Sequence, residues 1–265
     1  MTRTPAEQHE HGALVHLSHV SGPAELQAAI LALVVQPLTG PALIAWNAEN
    51  DRISSAEALL IDVGYLSDAA RLPCLEVLLA RMRLQPKADR RALLQSTRRL
   101  MATHSPLRPI DRLHWLAMRR GLGDRPPAAA APGSHNDLAQ LPAGTLLQVA
   151  RVSAYLSRMV PGLDASAAQA WYAEAMGRFL PREMVPPCNA PDGDGLANAL
   201  EEVESLPWML RPVLVRAWVD AAIATSQRAR LPAGAADALR LAADLLDSPL
   251  PPELSRHFME LEWTV

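Results

Sequence analysis

The sequence of 265 residues is 49% hydrophobic but only 4% aromatic, so alanine and leucine, two strong helix formers, supply most of its apolar content. Its net charge of −3 shows no basic excess and argues against a nucleic-acid-binding protein. The two cysteines are too few for a disulfide framework or a zinc cluster, and they fit a reducing, cytoplasmic location. Long alternations of β-branched and aromatic residues are absent, so an all-α protein is predicted.

The first 22 residues are polar and rich in histidine, and we predict a mobile tail there. They contain no apolar stretch of the kind found in signal peptides. His9, His11, His16 and His19 supply enough imidazoles for a transition metal. If the tail were helical, however, only two of them would share a face. Two ligands make an incomplete site, so a solvated tail is the preferred interpretation.

A run without charged residues, from position 26 to position 48, is long enough to span a bilayer. Proline and glycine interrupt this run at Pro37, Gly40 and Pro41. Two short buried helices joined by a turn explain the pattern better than one continuous span, because proline ends or kinks a helix. No direct membrane span is therefore expected.

Apolar residues at helical spacing predict about five helices in the first half of the chain, at 23–35, 54–66, 68–82, 86–103 and 110–121. The clearest of them is 68–82, because its apolar residues recur every three or four positions. The stripe consists of Leu72, Leu75, Leu78, Leu79 and Met82.

A stretch rich in proline, alanine and glycine at 123–137 predicts a linker or long loop. It divides the chain into an N-terminal helical half, 23–122, and a C-terminal helical half, 138–265. The second half also shows the pattern of about five helices. Asp164 and Asp194 are predicted N-caps there, and Pro212 is expected to kink a helix or to mark its boundary.

Three residues near the end of the first half form a candidate metal or catalytic site: His104, Asp111 and His114. Asp111 and His114 are three residues apart and would share a helix face, which is the geometry that a metal pair needs. The sequence shows no second carboxylate–histidine pair on a facing helix. A metal-dependent helical enzyme is therefore the alternative hypothesis rather than the preferred one.

Cys74 lies among the leucines of the 68–82 stripe, so packing in the core is favoured over a role as a nucleophile. Six tryptophans are scattered along the chain, and most of them should anchor the core. Trp208 and Trp263 are the pair expected at the surface.

The stretch 70–122, which begins ARLPCLEVLLARMRLQPKADRR, resembles the cytosolic C-terminal accessory region of bacterial HtpX-like membrane zinc peptidases. A later stretch, ALRLAADLLDSPLPPEL, resembles the end of the same region. The resemblance implies a TerB-like helical bundle. The residues that carry it are Arg71, Leu72, Pro73, Leu75, Glu76, Pro249, Pro251 and Pro252.

The zinc motif of those peptidases is absent from this sequence. The motif requires His-Glu-x-x-His on one helix, and here the residue four positions after His9 is Ala13. The acidic turns of TerB-like modules are also replaced, by residues 103–105 and 227–229. The resemblance therefore implies a free-standing accessory region without a peptidase centre, and no cofactor or metal is expected.

The sequence thus predicts a non-catalytic, cytoplasmic interaction or regulatory module rather than an enzyme. Its expected partner is a protein: either a membrane-associated protease, which would hold it at the inner face of the membrane, or a regulator of such a protease. The separate soluble part of a split zinc peptidase is a further alternative. The oligomeric state, the individual partner and the pathway are left open.

Overall fold

The structure is a computed structural model that describes residues 4–36, 38–104, 106–123, 137–161, 164–226 and 231–263. These residues contain 13 α-helices, two short 3-10 helices and no strand, which confirms the predicted all-α class. The predicted linker, apart from its two end residues, and the replaced turn at 227–229 lie outside the described ranges.

The chain divides into two compact units. The first comprises Met1–Arg125 together with Phe258–Val265, and the second comprises Pro126–His257. The assignment of Phe258–Val265 to the first unit differs from the sequence analysis, which placed these residues in the C-terminal half. Local sequence patterns carry no signal for such a long-range return.

The first unit contains seven helices. They are α1 (Pro5–Ser18), α2 (Pro23–Val34), α3 (Gly40–Asn50), α4 (Ala56–Tyr65), α5 (Asp68–Arg83), α6 (Lys87–Met101) and α7 (Pro109–Gly121).

The predicted mobile tail is wrong for residues 5–18, because they form helix α1 and pack against α4. Thr4 and Glu7 form a capping box that starts the helix. The buried side of α1 is narrow, since only Ala13 and Leu17 are fully covered. Glu10 adds a polar attachment by accepting a hydrogen bond from the Ser67 amide at 2.8 Å.

Helix α2 is the centre of the first unit and packs against α3, α4, α5 and α6. The predicted pair of helices in the uncharged run is present as α2 and α3. Only α2 is buried on most of its surface, whereas α3 is buried along one side and leaves Ile44 exposed. Among the described residues, no helix is long and apolar enough to cross a membrane.

The second unit contains six α-helices and the two 3-10 turns Leu138–Gln140 and Arg182–Met184. The helices are α8 (Ala143–Leu156), α9 (Ala165–Gly177), α10 (Gly193–Glu204), α11 (Leu210–Thr225), α12 (Ala233–Leu245) and α13 (Pro252–Ser255).

Helices α8, α9, α10 and α11 form the main packing layers of this unit. Trp171 and Trp218 are fully buried among them, and the Trp218 indole donates a hydrogen bond to the Ser153 hydroxyl at 2.9 Å. Pro212 lies in the first turn of α11, where an amide needs no helical partner, so it marks a boundary and does not kink the helix.

The N-caps of two helices in the second unit test the predicted capping residues. Asp164 caps α9 as predicted, because its side chain accepts a hydrogen bond from the Ser166 amide. Asp194 is not the cap of α10. Asp192 takes that place and accepts from the Gly195 amide at 2.7 Å, since α10 begins two residues earlier than predicted.

The docking of α1 can be tested with two substitutions on the same helix. Leu17→Ala removes a fully buried side chain, and we expect the free energy of unfolding of the first unit to fall by about 2–4 kcal/mol. Val15→Ala is the matched control, because Val15 is 47% exposed and should change stability by less than about 0.5 kcal/mol. Urea unfolding measures both. Equal effects of the two substitutions would contradict a docked α1.

Candidate functional site

The predicted site residues meet at the turn between α6 and α7. The Asp111 side chain is fully buried, and its Oδ2 lies 3.0 Å from Nδ1 of His104, which is 8% exposed. Arg108 contacts both carboxylate oxygens, with 2.6 Å between its terminal nitrogen and Oδ1. Another terminal nitrogen of Arg108 donates to the Gln36 carbonyl at 2.7 Å. The carboxylate is therefore fully engaged within the protein.

The local sequence explains why these groups converge. Pro109 starts α7, and Asp111 lies in its first turn. A carboxylate there can accept hydrogen bonds from backbone amides that have no helical partner, and its negative charge is stabilised by the positive end of the helix dipole. The Arg108 amide donates to Asp111 at 3.1 Å. The arrangement ties the α6–α7 turn to the end of α2 and gives the buried aspartate an opposite charge.

His114 lies one turn after Asp111 on α7, and its buried Nδ1 has no hydrogen-bond partner. Burial lowers the pKa of this imidazole from 6.5 to about 4, and the nearby negative charge of Asp111 only partly opposes the shift. His114 is therefore neutral at pH 7. The buried Nε2 of His104 also lacks a hydrogen-bond partner.

The described residues contain no group of three or more histidine, cysteine, aspartate or glutamate side chains that could hold a metal ion. Of the three candidate residues His104, Asp111 and His114, only His104 and Asp111 are in direct contact. The neighbour that completes the cluster is Arg108, a cation. Sequence reasoning missed it, although its spacing of three residues from Asp111 is a readable signal for an ion pair.

Cys74 is fully buried in α5, and burial, with a smaller contribution from the charge of Glu10, raises the pKa of its thiol to about 12. Burial also raises the pKa of the half-buried Cys188 thiol, whose Sγ lies 3.7 Å from the Ser157 hydroxyl. Neither cysteine is activated as a thiolate. The position of Cys74 agrees with the predicted packing role.

The residues that carry the resemblance occupy two places. In α5, Leu72, Pro73 and Leu75 are buried, whereas Arg71 and Glu76 are half-exposed. In the second unit, Pro251 is buried before α13, and Pro249 and Pro252 are exposed. These positions support a structural role for the part of the motif in α5, because its apolar members pack in the core.

Pro73 lies inside α5 and changes the backbone around it. A helical carbonyl pairs with the amide four residues later, but proline has no amide hydrogen, so the carbonyl of Ala69 loses its usual partner. The Met259 amide supplies the missing donor at 2.9 Å. The sequence analysis did not predict this long-range bond, although a proline inside a helix indicates that the carbonyl four residues earlier lacks its helical donor.

We name residues 258–263 the returning segment. It has neither helical nor strand structure. Phe258 is half-buried, and from Met259 onward the side chains alternate, with Met259, Leu261 and Trp263 half-buried and Glu260 and Glu262 exposed. This alternation is typical of an extended chain lying on a surface.

The indole of Trp263 lies over the guanidinium of Arg81, with 5.6 Å between the ring centroid and Cζ. One terminal nitrogen of Arg81 donates to the carbonyls of Ser18 and Val20 at 2.8 and 3.0 Å. The Trp263 side chain is thus not as exposed as the sequence analysis expected.

The second unit presents an apolar surface at the start of α11. We name it the Trp208 surface. Trp208 is 75% exposed, Met209 44% and Val213 52%. Pro212 beside them is half-exposed. Trp208 and Met209 lie in the turn that leads into α11, and Pro212 and Val213 lie in the first turns of the helix, so the four residues belong to one short stretch of the chain.

Comparison with known proteins returned no match of this chain to a family model, to a curated protein or to a solved structure. The resemblance to the HtpX-like accessory region consequently stays a prediction based on the quoted residues.

The ion pair of Asp111 can be compared with an exposed pair of the same spacing. Asp111→Asn should lower the free energy of unfolding by about 2–4 kcal/mol, because it leaves the Arg108 charge without its buried partner. Asp68→Asn is the control, because Asp68 also pairs with an arginine three residues away but is 63% exposed. Its effect should be within about 0.5 kcal/mol. Urea unfolding at pH 7 measures the difference, and similar losses would contradict a stabilising role of the buried Asp111–Arg108 ion pair.

The lowered pKa of His114 makes a second prediction about the same cluster. The folded chain binds this proton less readily than the unfolded chain, so the stability contribution is complete above pH 6.5 and is lost as the pH falls toward 4. The loss should be on the order of 2–3 kcal/mol. His114→Gln should reduce the slope of unfolding free energy against pH in this range, whereas His11→Gln, at an exposed position, should not. An unchanged slope in His114→Gln would contradict the assignment.

Proposed function

We propose that the chain is a non-catalytic helical module that binds a protein partner through the Trp208 surface. The observation that carries the proposal is the exposure of the Trp208 side chain. Trp46, Trp171 and Trp218, in contrast, are at most 2% exposed. A large apolar side chain held in water is unfavourable, and tryptophan is among the residues that contribute most to binding when a partner covers it.

The surface is held by buried contacts beneath it. Arg211 is 8% exposed and donates hydrogen bonds to the carbonyls of Leu206 and Leu246 at 2.9 and 3.2 Å. Leu210 is buried, and its amide closes a turn with the Pro207 carbonyl. A surface with a fixed backbone loses little conformational freedom on binding, which favours affinity.

The exposure of Trp208 supports a proposal about the partner's chemistry. Trp208 projects from the protein, so the partner must offer an apolar pocket that accepts an indole. Met209 beside it is flexible and adapts to the rim of such a pocket. We therefore propose a folded protein with a concave apolar site as the partner.

The resemblance to the HtpX-like accessory region supports a membrane-linked protease, or a regulator of one, as the partner class to test first. In that setting the chain would act in the cytoplasm, at the inner face of the membrane. The same resemblance supports the separate soluble part of a split zinc peptidase as a variant of this proposal.

A second candidate function is a metal-dependent helical enzyme. It is favoured by one observation, the two buried imidazole nitrogens of His104 and His114 that lack hydrogen-bond partners. Elemental analysis of purified, tag-free protein distinguishes the two functions. We expect less than about 0.1 metal ion per chain, because Arg108 already neutralises Asp111. A near-stoichiometric metal that is lost in His104→Ala would favour the enzyme instead.

Crosslinking from the surface tests the proposed partner site. A photoreactive phenylalanine at position 209 should crosslink one partner in the native host, and Trp208→Ser/Val213→Ser should abolish that product. Ile44→Ser is the control, because Ile44 is similarly exposed but lies in the first unit. Mass spectrometry identifies the product. A product that survives Trp208→Ser/Val213→Ser would contradict the proposal.

A further inference from the structure

The returning segment is held on α5 by features that do not depend on the Trp208 surface. Its backbone binds the Ala69 carbonyl through the Met259 amide, and its last described aromatic residue stacks on Arg81. We name these two groups, the Ala69 carbonyl and the Arg81 guanidinium, the α5 face. They lie on one helix, twelve positions apart in the sequence.

The backbone acceptor of the α5 face is present before any ligand binds. Pro73 has no amide hydrogen, so the Ala69 carbonyl is an available acceptor inside a regular helix. A donor from any extended chain can satisfy it. Recognition through a backbone group requires no particular side chain at that residue, which is typical of sites that bind peptides.

The Arg81 end supplies selectivity for an aromatic residue. Hydrogen bonds to the carbonyls of Ser18 and Val20 hold the guanidinium in place, and the Trp263 indole lies over it. Arginine offers a planar face, whereas the lysine ammonium does not. A guanidinium held in this way is a preorganised platform for tryptophan.

The bound segment shows which peptide the face accepts. Met259, Leu261 and Trp263 are half-buried, and the intervening glutamates are exposed. Every second residue therefore contacts the protein, and the side chains between them are free to vary. None of residues 258–263 is fully buried, so an equivalent extended chain can compete for the same contacts.

We propose that the α5 face is a binding site for an extended peptide of a partner protein, with apolar residues at alternate positions and a tryptophan at the Arg81 end. The returning segment is its built-in ligand and competes with that peptide. Opening of the site depends on displacement of this segment, so the site is self-inhibited.

Competition in trans tests this proposal on the full chain. The probe is a fluorescent, end-capped peptide of residues 256–263, RHFMELEW, and binding is followed by anisotropy. The wild-type chain is compared with Leu261→Ser/Trp263→Ala, in which the returning segment is weakened. The variant should bind the probe about ten-fold or more tightly than wild type, because its site is no longer occupied.

Substitutions in the variant background locate the bound probe. Arg81→Lys should weaken binding about five-fold or more, since the planar face is lost. Arg83→Lys is the matched control on the same helix and should have no effect, because Arg83 is exposed. Pro73→Ala restores an amide that pairs with the Ala69 carbonyl, so it should weaken binding while α5 stays helical by circular dichroism.

Probe variants test the alternating pattern. Replacing the tryptophan of the probe by alanine should abolish binding, and replacing both glutamates by glutamine should leave it within about two-fold. Three results would overturn the proposal: no binding by the variant up to about 1 mM, equal affinities of variant and wild type, or no effect of Arg81→Lys. Light scattering that finds a wild-type dimer and a monomeric Leu261→Ser/Trp263→Ala variant would also overturn it, because a second copy would then be the natural ligand.

Discussion

The burial of α2 is the constraint on which the first unit depends. Its alanines at positions 28, 29 and 32 allow neighbouring helices to approach closely, and its larger apolar residues fill the space between them. Helices α4, α5 and α6 take their positions from this contact. The turn before α7 is attached to the same element, because Arg108 binds the Gln36 carbonyl just beyond the end of α2. A substitution that shifts α2 would therefore also shift Arg108, which binds just beyond its end, and α5, which packs against it.

The cluster of Asp111, Arg108 and His104, the Trp208 surface and the α5 face differ in how far their interactions are completed within the fold. Asp111 is buried with an opposite charge that engages both of its oxygens, so its interactions are completed within the fold. Trp208 has most of its surface in water, so most of its apolar area is not buried against the protein. The α5 face is intermediate, since its carbonyl and its guanidinium are satisfied by a segment that covers them only in part. This gradation supports binding, rather than chemistry, as the proposed activity.

Most of the helices could be predicted from the sequence, because the apolar stripes of segments such as α5 have a helical period and proline or glycine marks their ends. Helix α1 could not, since its buried side has only two residues and most of its first turns are polar. The contact of His104 with Asp111 was within reach of sequence reasoning because the two residues are close in the chain. The bond from Met259 to Ala69 was not, because no local pattern specifies which distant amide satisfies a free carbonyl.

The second unit is inserted, in sequence, between two parts of the first, and this order has a consequence for synthesis. Residues 69–81 and 18–20 are made early, whereas the returning segment is made only after all of Pro126–His257. A ribosome that adds about 5–20 residues per second leaves an interval on the order of ten seconds between them. During that interval the carbonyl freed by Pro73 has no intramolecular donor from the returning segment. Until then water or a donor from another chain can satisfy this carbonyl, so a partner that meets the chain during synthesis does not have to displace the returning segment.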